Sequence, residues 1–169
     1  MTTRTQPATS PHTADDTTTT QGSEAAATVG QALLVGIDGR IDTVDLTPED
    51  GSFGASIRQT IGCRLYAVTE VTEHIDMWTD DEGMPDLGDT ELVAATLNPL
   101  ATLLLAEHRA IYQPYFGAAL FTGQDGERTV GLDMAQLTRL RAAVEAIASR
   151  PAQLDAFRRR VGAAVAKHA

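Results

Sequence analysis

Cysteine occurs once in the 169 residues, at Cys63, and lysine once, at Lys167. A single thiol excludes an internal disulfide and any zinc site built from several cysteines. Aromatic residues make up only 5% of the chain, so an aliphatic core is expected. No stretch approaches the roughly 18 consecutive apolar residues that a membrane helix needs. The N-terminus also lacks the basic region followed by an apolar run that marks a signal peptide. No membrane partner is expected on these grounds, and the cytoplasm is the expected location. Neither GxxxxGK[ST] nor a GxGxxG following a strand occurs, so no phosphate cradle is read and no cofactor is expected.

Negative charge is what the chain has in quantity, and it is unevenly placed. Residues 38–91 hold fourteen Asp or Glu against Arg40, Arg58 and Arg64, a balance of −11. Residues 92–169 hold six acids and nine bases, a balance of +3. An acidic face repels nucleic acid, so direct nucleic-acid binding is not expected. A basic protein partner, a metal, or plain solubility is compatible with such a face, and solubility is the commonest explanation.

Residues 1–28 are rich in Thr, Pro, Ser and Ala without apolar periodicity, the composition of a disordered tail. The four threonines Thr17 to Thr20 are read as low complexity rather than as phosphorylation sites. Residues 29–132 are expected to form the core domain, and 133–169 a C-terminal helix pair packed on it or extending it. Ala32–Ile37 and Ile41–Leu46 read as strands joined by a two-residue Asp38-Gly39 hairpin link. Gly54–Ile61 has helical spacing and ends at Gly62. Arg64–Thr72 alternates Leu65, Ala67, Thr69 and Val71 against Tyr66, Val68 and Glu70, and Ile75–Thr79 continues as strand.

An acidic turn, Trp78 to Glu91, is followed by Glu91–Leu97, read as an extended approach or a short turn. Asn98 is a good N-cap and Pro99 suits the first helical position, so the main helix is expected to start there. Tyr115–Thr122 and Glu127–Gly131 read as strands around a GQDG link. Asp133 caps a helix to about Ser149 with Met134, Leu137, Leu140, Val144 and Ile147 inward. Pro151 opens the last helix, with Leu154, Phe157, Val161 and Val165 on one face. The outcome is an α+β fold: a mostly antiparallel sheet of about five strands packed against helices.

Several clusters carry candidate chemistry. Asp76, Asp80, Asp81, Glu82, Asp86 and Asp89 form the candidate binding surface, because loops carry sites and scaffolds carry packing. The same acids could ligate a hard cation, but the EF-hand register fails. With Gly83 at the sixth loop position, the first is Trp78, which has no carboxylate; Asp80 and Glu82 fall at the third and fifth, and Asp89 is a short twelfth. Glu70, Glu73, His74 and Asp76 resemble an acid/base set, with His74 and Asp76 the weak metal alternative, and Glu70, His74 and Asp76 are expected on one strand face. A charged strand edge that resists association explains the same residues and is preferred. Cys63 would need His74 or His108 as activating base, and nothing local supplies an oxyanion hole; a small core residue is preferred. Glu107-His108-Arg109 reads as helix C-terminal capping, and Arg158–Arg160 as a solvated helix face.

The order of these features, with the strand LYAVTEV, Asp81-Glu82-Gly83, Asn98-Pro99-Leu100-Ala101-Thr102, Phe116-Gly117 and Phe121-Thr122-Gly123, resembles a family catalogued as domain of unknown function 3846. The resemblance covers roughly residues 32–137. In similar proteins the Asn follows the acidic turn closely, so Gly88–Leu97 looks like an insertion here. The resemblance implies an accessory protein of a mobile element, phage or plasmid, and implies no catalytic residues.

The expectation is therefore a non-enzymatic interaction protein that binds a partner through its acidic surface. The partner would be a basic nucleic-acid-binding protein, with the acids mimicking DNA charge. The alternative is a small metal-dependent hydrolase using His74, Asp76 and the Asp80–Asp89 loop. Oligomerisation through the helix pair is a third reading.

Overall fold

A computed structural model describes residues 29–167. The expected tail, 1–28, lies outside the described residues. The chain forms β1 (Gly30–Val35), β2 (Ile41–Leu46), α1 (Gly54–Ile61), β3 (Tyr66–Thr72) and β4 (Ile75–Asp80). These are followed by α2 (Thr90–Thr96), α3 (Pro99–His108), β5 (Ala119–Asp125), β6 (Arg128–Val130), α4 (Met134–Ala148) and α5 (Pro151–Val165). The strands make one six-stranded antiparallel sheet of order β2-β1-β5-β4-β3, with β6 also paired to β5. The fold is α+β, with two helices at its C-terminal end.

Alternation along the strands divides the core into two layers. Leu33, Val35, Met77, Ala119 and Phe121 face α3 and α4 and meet Leu104, Leu105, Leu140 and Val144. The opposite face carries Ala32, Leu46, Trp78 and Leu120 against Ile57 of α1. There Tyr66 meets Trp78 edge-on at 5.0 Å, and the Trp78 Nε1–H donates to Thr122 Oγ1 at 2.8 Å. A third cluster, Val93, Leu97, Phe116 and Val165, clamps α5 to α2. The C-terminal pair thus packs on the core: α4 through Leu137, Leu140, Val144 and Ile147, and α5 through Leu154 and Val165. Met134, expected inward, is instead 68% exposed, because it occupies the first turn beside the Asp133–Gln136 capping box.

Three segments depart from sequence expectation, each for a local reason. The first hairpin link is a five-residue loop, 36–40. Gly36 N donates to Arg40 O, Asp38 Oδ1 accepts from Arg40 N, and Gly39 takes a positive φ of 85°. Glu91–Leu97 is mostly helix rather than the expected extended approach or short turn: Asp89 caps α2 by accepting from Leu92 N at 2.9 Å. This helix stops at Leu97 because Asn98 precedes a proline and is pushed out of the helical region. The segment expected to be strand from Tyr115 begins its ladder only at Ala119.

Asn98 explains that last shift. It is fully buried, and its Nδ2 donates to Val35 O at 3.0 Å and to Gly117 O at 2.9 Å. Its Oδ1 caps α3 by accepting from Ala101 N. Its backbone N donates to Tyr115 O, while Thr102 Oγ1 donates to Asn98 O and accepts from Tyr115 N. These bonds draw Tyr115–Gly117 out of line with β5 and onto the start of α3. Gly117, at φ 74°, turns the chain back into the sheet.

A second constraint lies at the far end of the sheet, where Gly30 and Gly131 approach backbone to backbone. A Cβ on Gly131 would stand 2.7 Å from Gly30 Cα and 2.8 Å from Gln31 N.

Asn98→Ala removes the cap and takes a donor from one buried and one partly buried carbonyl, and is expected to cost about 3–5 kcal/mol in a urea unfolding experiment. Asn98→Asp restores only the acceptor and is expected to recover little of this loss. Gly131→Ala, whose new methyl group meets unyielding backbone, is expected to cost about 1–3 kcal/mol by the same measurement.

Candidate functional site

The acidic loop is organised by its own carboxylates. Asp80 Oδ1 accepts from Glu82 N at 3.0 Å, and Asp86 Oδ1 accepts from Gly88 N at 2.9 Å. Glu82 forms a two-toothed ion pair with Arg64 (2.6 Å and 3.2 Å), and Asp81 N donates to Leu65 O, which ties the loop to the start of β3. Short side chains that close turns on the backbone hold a loop without a hydrophobic core of its own. Glu82, Asp86 and Asp89 therefore hold structure while remaining exposed, and Asp81 is exposed as well.

Between the turns, Met84 and Leu87 reach back toward the protein, 50% and 38% exposed. They wall a groove of about 590 Å³ with Leu103 and Ala106 of α3, the loop Ile111–Pro114, Phe116, and Phe157, Arg160, Val161 and Ala164 of α5. Tyr112, 95% exposed, stands at this groove. A smaller recess of about 150 Å³ adjoins it, sharing Met84, Gln113, Pro114 and Phe116, and is lined by Asp80, Asp81 and Thr79. Sequence patterning alone placed Phe157 and Val161 in the core. They are half-buried: they pack against the Val93, Leu97, Phe116 and Val165 cluster and also supply the groove wall. Their i, i+4 spacing does not distinguish a core stripe from a groove stripe.

The other sequence candidates are dispersed. Asp76 is buried, at 8% exposure, and lies on the Trp78 face opposite Glu70 of β3. His74 sits in the β3–β4 turn and lines a groove of about 380 Å³ with Glu107, His108, Gln136 and Arg139, on the face covered by α3 and α4. The expected common face thus holds for Glu70 and Asp76 and not for His74, because the turn after Thr72 breaks the strand alternation. Among the described residues, no three of His, Cys, Asp and Glu are grouped to hold a metal ion. Cys63 follows α1 on the other side of the sheet. Burial, and then the Asp80 charge, push its thiol above its usual pKa, which lowers its thiolate fraction.

The acids of 38–91 do not form one patch. Asp42 and Asp45 lie on β2 and Glu70 on β3, the two opposite edges of the sheet. Four interstrand steps of about 4.8 Å separate those edges by roughly 19 Å. On each edge strand an arginine takes up a carbonyl: Arg141 bonds Ile41 O and Arg109 bonds Glu70 O. Charge and covered carbonyls together discourage edge-to-edge pairing, the role expected for Glu70.

Burial, and then the Glu70 charge, raise the Asp76 carboxyl above the ordinary Asp value. The folded state then binds a proton more readily than the unfolded state, so stability falls as pH rises through the window above the ordinary Asp pKa. Asp76→Asn is expected to raise the thermal midpoint at pH 7, with the gain shrinking as pH falls below that window. In an NMR titration, Glu70→Gln is expected to lower the Asp76 pKa; an unmoved titration would contradict the coupling.

Searches of curated proteins and of solved structures return no match. A family model, Domain of unknown function (DUF3846), matches residues 50–145. That span opens after the β1–β2 hairpin, includes the acidic loop, Asn98 and the groove wall from α3, and runs into α4. It covers more than half of the chain, and the protein belongs to the DUF3846 family.

Proposed function

We propose that the protein is a non-enzymatic accessory protein that binds a basic protein partner through the acidic loop Asp80–Glu91 and the surface around it. The observation that supports this most directly is the pre-arranged loop beside an apolar groove. Its carboxylates are held by their own turns, so little ordering entropy opposes their engagement. Exposed, fixed negative charge steers a cationic partner and accelerates its association. A nucleic-acid-binding protein is one such partner, met in a phage or plasmid setting, with Asp81, Asp86 and Asp89 standing in for phosphates. Asp76 contributes no surface charge to this reading, because it is buried.

A quadruple variant, Asp80→Asn, Asp81→Asn, Asp86→Asn and Asp89→Asn, separates charge from shape. Each amide oxygen replaces the carboxylate as acceptor, so the turns and the α2 cap survive while four charges disappear. Immobilised wild-type protein is expected to retain a basic protein from host lysate that elutes with salt. The variant is expected to retain about tenfold less. Equal retention by both proteins, or no basic protein retained, would refute the reading.

A further inference from the structure

The groove under the acidic loop has a chemistry that a simple charged surface lacks. Its walls are mostly apolar side chains from three elements: Met84 and Leu87 from the loop, Leu103 from α3, and Phe157 and Val161 from α5. Among the described residues, Arg160 of α5 is the one charged residue of the lining, and it is absent from the adjoining Asp80–Asp81 recess. At about 590 Å³ it is large enough for several side chains of a bound segment. Asp80 and Asp81 line the recess that opens from it past Met84 and Phe116, and at about 150 Å³ that recess suits one cationic side chain. Apolar area and paired carboxylates therefore meet at one place.

We propose that this groove docks a segment of a partner protein that carries two or more large apolar side chains next to a lysine or arginine. The apolar side chains fill the space between the loop and α5, and the cation enters the Asp80–Asp81 recess. The inference rests on the acidic-surface reading and narrows it to one groove and one partner chemistry. Tyr112, at the groove and 95% exposed, is the aromatic anchor for the incoming segment. The Arg64–Glu82 pair and the Asp86 turn hold Met84 and Leu87 in place before binding.

Charge selects this occupant over the others. A second copy would bring the same acidic loop to the contact, from a chain whose net charge is −10. Like charges meeting across an interface cost affinity. Residues 1–28 of the chain itself carry Arg4 against Asp15, Asp16 and Glu24, with Met1 as their one large apolar residue, so their composition does not match the groove.

A display library of random peptides, selected on the immobilised full chain, tests the assignment. Recovered peptides are measured by fluorescence anisotropy against the wild type, Asp80→Asn/Asp81→Asn, and Met84→Ser/Leu87→Ser. All four positions are at least partly exposed, and circular dichroism checks that each variant is folded. Enriched peptides are expected to combine Lys or Arg with Leu, Phe, Met or Trp, and to bind either variant about tenfold more weakly.

Loss in the charge variant alone places the partner on the acidic surface outside the groove, which overturns the proposal and leaves the broader reading standing. Loss in the groove variant alone makes the segment's charge irrelevant, which overturns the proposal and weakens the broader reading. No enrichment, or enrichment of peptides without positive charge, also overturns it. Sedimentation that shows a dimer dissociated by Met84→Ser/Leu87→Ser would assign the groove to a second copy, again overturning it.

Discussion

The buried amide of Asn98 is the junction on which the rest of this structure depends. Its side chain joins the end of β1, the start of α3 and the segment before β5, three separate pieces of backbone. Only a primary amide offers two donors and an acceptor in so small a volume, so no other short side chain satisfies all three partners. Thr102 completes the node by bonding both Asn98 O and Tyr115 N. Because the interior is close to dry, each of these groups would be costly to leave unpaired.

That junction also sets the geometry of the candidate site. By pulling Tyr115–Gly117 onto α3, it presents Phe116 to Leu97, Val93 and Val165, the cluster that anchors α5. The groove is the space left between α5, that segment and the acidic loop. Its floor is thus fixed by a hydrogen-bond node in the core, and its outer wall by carboxylates closing turns at the surface. A rigid floor and a pre-arranged rim would leave little of the site itself to be ordered on binding.

Much of the framework was legible in the chain. Alternation in β3, the Gly62 helix stop, the Asn98-Pro99 helix start and the Asp133 cap all appear where the residue types predict, because each rests on contacts within a few residues. Expectations failed where distant partners intervene. The start of β5 was misplaced because Asn98 competes for Tyr115 and Gly117. The segment Glu91–Leu97 was read as an extended approach or a short turn because Asn98-Pro99 suggested a break, whereas Asp89 caps a helix ahead of it. The acidic stretch was read as one face, and sheet order sends Asp42 and Asp45 to one edge and Glu70 to the other.

Local rules, namely side-chain period, capping chemistry and turn residues, are written in the chain, and from them alone follow the α+β class, most element boundaries and the excess of negative charge. Which carboxylates stand together, which are buried like Asp76, and where an apolar groove opens were decided only when strands far apart in sequence paired. The reason is physical: periodicity determines which way a side chain points from its own element, whereas its neighbours come from the order in which elements are laid side by side.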